Sequence, residues 1–196
     1  MKRCLLILSL LFALAACEPE APRPKESAQP SPFRIVGGLE SPRLNEASGM
    51  QAIPGGYFVL HNDEGDQLFL TDYAGNHLGR IKVKQARNRD WEDITRVPGP
   101  QGPLLVIGDI GDKQRVRKKL KLYFVPEPEP GDDELRPVHE VTLRLPDRPR
   151  DIEAMAYDPS GEQILFLSKS DEPPRLYRAP LDAALAESEL KLEFLG

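Results

Sequence analysis

Acidic residues recur along this chain at fixed spacing. Glu46 is followed seventeen residues later by Asp63-Glu64-Gly65-Asp66, and Glu92 seventeen residues later by Asp109-Ile110-Gly111-Asp112, so both features are displaced by 46 residues. A third glutamate, Glu153, lies within Asp151-Ile152-Glu153-Ala154-Met155, and seventeen residues beyond it stands Ser170 beside Asp171. If the copies are symmetric modules, one acidic residue per module becomes a ring. Clustered carboxylates repel, so such a ring is costly unless a cation or a positive partner sits within it. Hard oxygen donors, with His61, His77 and His139 the only imidazoles, select calcium over zinc or copper. The expected calcium ligands, direct or through water, are Glu46, Glu92, Glu153, Asp63, Asp109 and Asp112. D-x-G-D is equally good turn chemistry, with Asp bonding backbone N–H groups and Gly taking positive φ. For the two tetrapeptides both readings stay open. For the glutamates, three in register exceed what a turn demands.

The elements that would position these residues read as short strands. A period of 20 to 50 residues with a strand-rich unit marks a propeller or solenoid. The first repeat predicts strands at Ala47–Ala52, Tyr57–Leu60, Gln67–Thr71 and His77–Val83. The second predicts Asp93–Val97, Leu104–Ile107, Lys119–Val125 and His139–Leu145. The third predicts Ala154–Tyr157, Ile164–Leu167, Arg175–Arg178 and Glu189–Leu195. Pro54-Gly55-Gly56, Pro98-Gly99-Pro100 and Pro159-Ser160-Gly161 supply the turns between first and second strands. Every second strand is continuously apolar, as a strand buried on both faces requires. The second repeat carries extra residues near Gln114–Lys119 and Pro126–Pro137, which surface loops accept at little cost. The expected fold is all-β, a partial β-propeller of about three four-stranded blades, with repeats beginning near 45, 90 and 151. Phe33–Leu39 reads as a further outer strand without a blade. Three blades cannot close a ring, so either two chains combine or the chain is a fragment of a longer product, which the orphan strand favours.

Residues 1–17 have the form of an export signal: Lys2 and Arg3, then the apolar run Leu5 to Leu14, too short for a permanent span. Leu14-Ala15-Ala16-Cys17 resembles the lipobox of bacterial lipoproteins, which implies lipidation of Cys17. Several acyl chains on one residue anchor stably where one does not. Glu18 after that cysteine resembles the outer-membrane-sorted class, so an anchor facing the periplasm is expected. Residues 18–32 hold five prolines and form a tether of about 45 Å at most when extended as polyproline II. Cys4 leaves with the signal, so residues 33–196 must be held by their core or by metal. Without Lys2 and Arg3, 24 basic residues face 31 acidic ones, a net of −7, which offers no footprint for nucleic acid.

Asp90-Trp91-Glu92-Asp93-Ile94, Gly108-Asp109-Ile110-Gly111-Asp112 and Arg150-Asp151-Ile152-Glu153-Ala154 resemble secreted bacterial six-bladed propellers of the phytase-like and NHL-like kind, over residues 33–195. The resemblance implies that the glutamate before each first strand faces the central channel. It also implies that the turns after second strands carry Asp63, Asp66, Asp109, Asp112 and Asp171 to the same mouth. Trp91 is expected to pack between blades. Arg115, Arg117, Lys118, Lys119 and Lys121 form one basic cluster, with four of them on one strand face. That face is either a solvated, edge-protecting hairpin or a dock for anionic headgroups or a phosphorylated ligand. No G-x-S-x-G, Walker, Rossmann or H-E-x-x-H pattern occurs. Three functions follow: an envelope lipoprotein whose propeller binds a ligand or partner, with structural calcium; a calcium-dependent phosphoester or carboxylic-ester hydrolase; or a truncated propeller without activity.

Overall fold

The computed structural model describes residues 33–196, and within them Ile35–Gly196 form one compact unit. The lipobox cysteine Cys17, the signal and the tether lie outside the described residues. The unit is all-β apart from one short helix, and its strands make three sheets. In the first sheet β1 (Ala47–Ile53), β2 (Tyr57–Asn62), β3 (Gln67–Asp72) and β4 (His77–Val83) form an antiparallel meander. The second is built likewise from β5 (Trp91–Val97), β6 (Leu104–Asp109), β7 (Leu120–Pro126) and β9 (His139–Arg144). The third has β10 (Ile152–Asp158), β11 (Gln163–Ser168), β12 (Leu176–Pro180) and β14 (Glu193–Phe194).

The twelve strands read from the sequence are all present, the last in altered form. Residues 189–195 divide into β13 (Glu189–Lys191) and β14, and only β14 stays in the third sheet. β13 runs parallel beside β9 and so belongs to the second sheet. The same device joins the first two sheets. β8 (Glu134–Leu135), inside the second repeat's insertion, runs parallel to β4. The outermost strands of the first and second repeats, β4 and β9, are thus each strapped by a short strand from the next. The single helix α1 (Leu181–Ala186) turns Leu181 and Ala184 into the core before β13.

Alternation along the second sheet explains its continuous apolar strand. Leu104 and Val106 of β6 pack towards the third sheet with Ile164, Phe166 and Tyr177. Leu105 and Ile107 pack towards the first with Val59, Leu70 and Trp91. Every residue of β6 is buried, because a sheet lies on each side. Trp91 is fully buried, edge-on to His61 and tilted against Tyr123, as packing between sheets requires.

The innermost strands β1, β5 and β10 are neighbours, with β5 between the other two. Their register is fixed by side chains that accept from a neighbour's backbone. Gln51 Oε1 accepts from Arg96 N at 3.0 Å, and Thr95 Oγ1 from Tyr157 N at 3.1 Å. Asp93 Oδ2 accepts from Met155 N at 2.7 Å.

Two expectations are corrected. Phe33–Leu39 forms no strand; Ile35 and Val36 stand exposed, and the glycines beyond them lie against the β3–β4 turn. A Cβ on Gly75 would come 2.8 Å from the Gly38 carbonyl carbon, so backbone meets backbone there with no room for a ladder of side chains. The basic cluster does not share one strand face either. β7 begins at Leu120, Arg117 is buried, and Lys119 and Lys121 pair with Glu189 and Glu140.

Candidate functional site at the acidic end of the sheets

Each innermost strand opens with a β-bulge, and the bulge sets the site. Pairing with the second strand shifts between Ala47 and Gly49, between Trp91 and Asp93, and between Ile152 and Ala154. The extra residues are therefore Ser48, Glu92 and Glu153. A bulged residue leaves the in–out alternation and its side chain is re-aimed, here at the end of the sheet.

This register revises the symmetry read from the sequence. Ser48, not Glu46, occupies the place of Glu92 and Glu153. Glu46 corresponds to Asp90 and Asp151, and the backbone confirms it. Glu46 O accepts from Asp63 N at 3.2 Å, Asp90 O from Gly111 N at 3.1 Å, and Asp151 O from Lys169 N at 3.0 Å. The site has two tiers: an acidic residue before each first strand (Glu46, Asp90, Asp151), and a bulge tier of Ser48, Glu92 and Glu153.

The two D-x-G-D turns are not equivalent either. Gly65 takes φ +91° in an open loop, while Gly111 is not in the left-handed region and is buried. Gly111 serves close approach instead. A methyl group there would lie 2.6 Å from Asp90 Oδ2 and nearer still to Glu92 Oε1, so these two carboxyl groups rest directly on it.

Asp109 and Asp112 are occupied by the protein itself. Arg117 Nη2 pairs with Asp109 Oδ1 at 3.0 Å with both side chains buried, and the same carboxylate accepts from Asp90 N at 3.0 Å. Arg117 N donates to Asp112 Oδ2 at 2.7 Å, and Arg117 Nη1 donates to Gly111 O at 2.6 Å. From the third sheet, Asp151 Oδ1 accepts from Asp112 N at 2.7 Å. The turn is clamped by an arginine on one side and an aspartate of the next sheet on the other, which holds Gly111 beneath the carboxyl pair.

What converges is a cluster centred on Glu92. Its carboxyl is pushed up to about 8, first by burial, then by the charges of Glu153, Asp90, Asp63 and Asp151. Glu92 hydrogen-bonds the Asp90 carboxyl, which burial also raises. Among the described residues two ion-paired cations reach this cluster: Arg117, whose charge opposes the rise at Asp90, and Lys169, whose Nζ lies 3.0 Å from Glu153 Oε1. Glu46, exposed just before β1, is not among the foremost charges raising Glu92. Glu92, Glu153 and Asp63 of the expected ligands are thus brought together, with Asp90 and Asp151 added. The pattern acid-x-Ser/Glu at 46–48, 90–92 and 151–153 carries that addition in the sequence, once copies are aligned on the strand start. Among the described residues no group of three or more His, Cys, Asp or Glu is already drawn together tightly enough to hold a metal ion.

No protein-family model and no curated protein matches the chain. Among solved structures it is similar to the Kuenenia stuttgartiensis hydrazine synthase, with TM-score 0.43 and 12% identity over 76% of this chain and 37% of that one. It is also similar to Kluyveromyces lactis Hsv2, with TM-score 0.37 and 15% identity over 68% of this chain and 37% of that one. The chain spans little more than a third of the length of these structures.

Beside the cluster sits His61, fully buried, its pKa lowered chiefly by desolvation. Its Nδ1 lies 3.4 Å from Ser48 Oγ, which donates to Trp91 O at 3.1 Å. The position that carries a carboxyl group in the other two sheets is here a hydroxyl tied to the neighbouring strand. The first sheet therefore contributes Asp63 to the acidic end, beside Asp90, Glu92, Asp151 and Glu153 of the other two.

Proposed function

We propose that the chain is a cell-envelope lipoprotein, anchored through Cys17 at the outer membrane. Its three sheets are blades of a β-propeller that binds a cationic ligand or partner at the acidic end, with calcium as the inorganic ion that suits it. The observation that carries this reading is the seating of Asp90 and Glu92 on Gly111, within the charge of Glu153, Asp63 and Asp151. A part-buried pair of acids surrounded by further acids is held at a cost, and a cation relieves it. The donor set is all oxygen, which suits calcium. Because the carboxyl groups are not yet gathered around one point, calcium would enter through bridging waters or a turn of side chains such as Glu153 away from Lys169. Isothermal titration of the mature chain with calcium tests this: saturable binding, weakened in Glu92→Gln, is expected. Absence of binding in the native chain would remove calcium and leave the cationic ligand or partner alone.

A second reading rests on the Asp90–Glu92 pair. A carboxyl group that keeps its proton near neutral pH can act as a general acid, and Lys169 offers a positive neighbour for an anionic substrate. That arrangement fits a calcium-dependent hydrolase of phosphate or carboxylic esters, in which metal-bound water attacks. Turnover of phosphomonoester and aryl-ester substrates, abolished by chelator and by Glu92→Gln, would establish it. No turnover with calcium bound would leave the binding reading.

A further inference from the structure

A different charge gathers on the third sheet. Arg115, Arg148, Arg150 and Arg175, drawn from three stretches of chain, line one cleft of about 500 Å³ together with Ser170, Asp171, Glu172 and Phe194. Four arginines outnumber the lining carboxylates Asp171 and Glu172, and Asp147 pairs with Arg150 and Arg175, in a chain whose formal net charge is −5.

The four arginines do not play one part. Arg150 is buried and engaged: its guanidinium bonds Asp171, and Asp147 Oδ2 at 2.5 Å. It forms the floor. Arg175 is placed by packing, its guanidinium carbon 4.0 Å from the centre of the Phe194 ring and its Nε donating to Tyr177 Oη at 3.2 Å. Arg115 holds a left-handed backbone at φ 55°, which an arginine adopts only when its surroundings impose it. From there its Nη2 donates to Ser170 O at 3.1 Å, bringing the hairpin after Asp112 to the cleft. Arg148 stands at the mouth, 3.6 Å from Asp171 with its side chain 60% exposed. Each guanidinium carries five N–H donors; Arg175 also lies 3.6 Å from Asp147 Oδ2, and Arg115, Arg148 and Arg175 keep donors beyond these contacts.

We propose that this cleft binds a phosphate-bearing anion. Planar forks from three stretches of chain, above an Arg150 held between Asp147 and Asp171, match a tetrahedral group with several acceptor oxygens. The group could belong to a soluble phosphate compound or to the headgroup of a phospholipid. The cleft shares no lining residue with the acidic cluster, and its phosphate probes are read without calcium.

Two probes distinguish the sources: inorganic phosphate, titrated calorimetrically into the mature chain, and phosphatidylcholine vesicles containing phosphatidic acid, assayed by co-sedimentation. Whichever probe binds, Arg148→Ala should weaken it about tenfold, since one charge-assisted fork is lost from an exposed side chain that the fold does not need. Arg175→Ala should do the same, and Arg175→Lys, which keeps the charge and loses the fork, should fall between. Arg80→Ala, an exposed arginine on β4 of the first sheet, should leave binding unchanged. Binding of phosphate alone assigns a soluble ligand, binding of vesicles alone assigns a headgroup, and competition between the two assigns the shared phosphate. Failure of both probes, or equal weakening by Arg80→Ala and Arg148→Ala, overturns the proposal.

Discussion

Glu92 concentrates the electrostatics of the acidic end in one side chain. Its carboxyl titrates near 8 in the folded chain against an ordinary value of 4.5, so folding favours the protonated form. Stability from this group is fully present below the unfolded value and is lost as pH rises through the folded one. The chain should therefore lose thermal stability between pH 4.5 and 8, and Glu92→Gln should flatten that slope in melts followed by circular dichroism. An unchanged slope in the variant would move the charge penalty elsewhere. Arg117 makes the opposite case, a buried cation whose partner Asp109 is buried with it. Removing it in Arg117→Ala leaves that carboxylate unpaired and frees the turn that carries Gly111. A loss of about 3–5 kcal/mol is expected in urea unfolding, whereas a loss below about 1 kcal/mol would show the clamp to be dispensable.

At the scale of elements, the bulge and the turn do the positioning. Gly111→Ala places a methyl group against the Asp90 and Glu92 carboxyl groups, and since both are part-buried they can move only in part. The expected cost is about 1–3 kcal/mol, together with a fall of the Glu92 titration towards its ordinary value as the pair is pushed apart. A titration unmoved in that variant would mean the glycine does not seat the pair. The strands themselves were legible because Gly and Pro turns bracket apolar runs, and the apolar second strands announced burial on both faces. The register was not. A bulge adds one residue without altering composition, so Glu46 and Glu92 look equivalent by spacing while pairing sets them two positions apart. The two D-x-G-D tetrapeptides mislead for the same reason, since Ile110 is an extra buried residue that has no counterpart after Asn62. The candidate site was thus half visible: Glu92, Glu153 and Asp63 were read, while Asp90 and Asp151 emerge only from the pairing.

The whole unit is a row of three sheets in which the middle one is buried on both sides. Its parts are tied across sheets by the straps β8 and β13, by Asp93 to Met155 N and by Asp151 to Asp112 N. Strands of two or three residues carry no periodicity, so these straps could not be read from the sequence. Helix α1 escaped for a similar reason, since six residues are less than two turns. Phe166 lies fully inside the second interface, and Phe166→Ala should cost about 3–5 kcal/mol. With the straps intact, that loss should lower a single unfolding transition; two resolved transitions would show that the sheets melt separately. The converging carboxyl groups at the shared end of β1, β5 and β10 remain the feature on which the functional reading depends. Carboxyl-carbon NMR of the mature chain, titrated from pH 4 to 10, reads it directly at Glu92. A midpoint near 8 without calcium is expected, with a marked downward shift when calcium is added. A midpoint close to 4.5, unmoved by calcium, would contradict both the cluster and the site built on it.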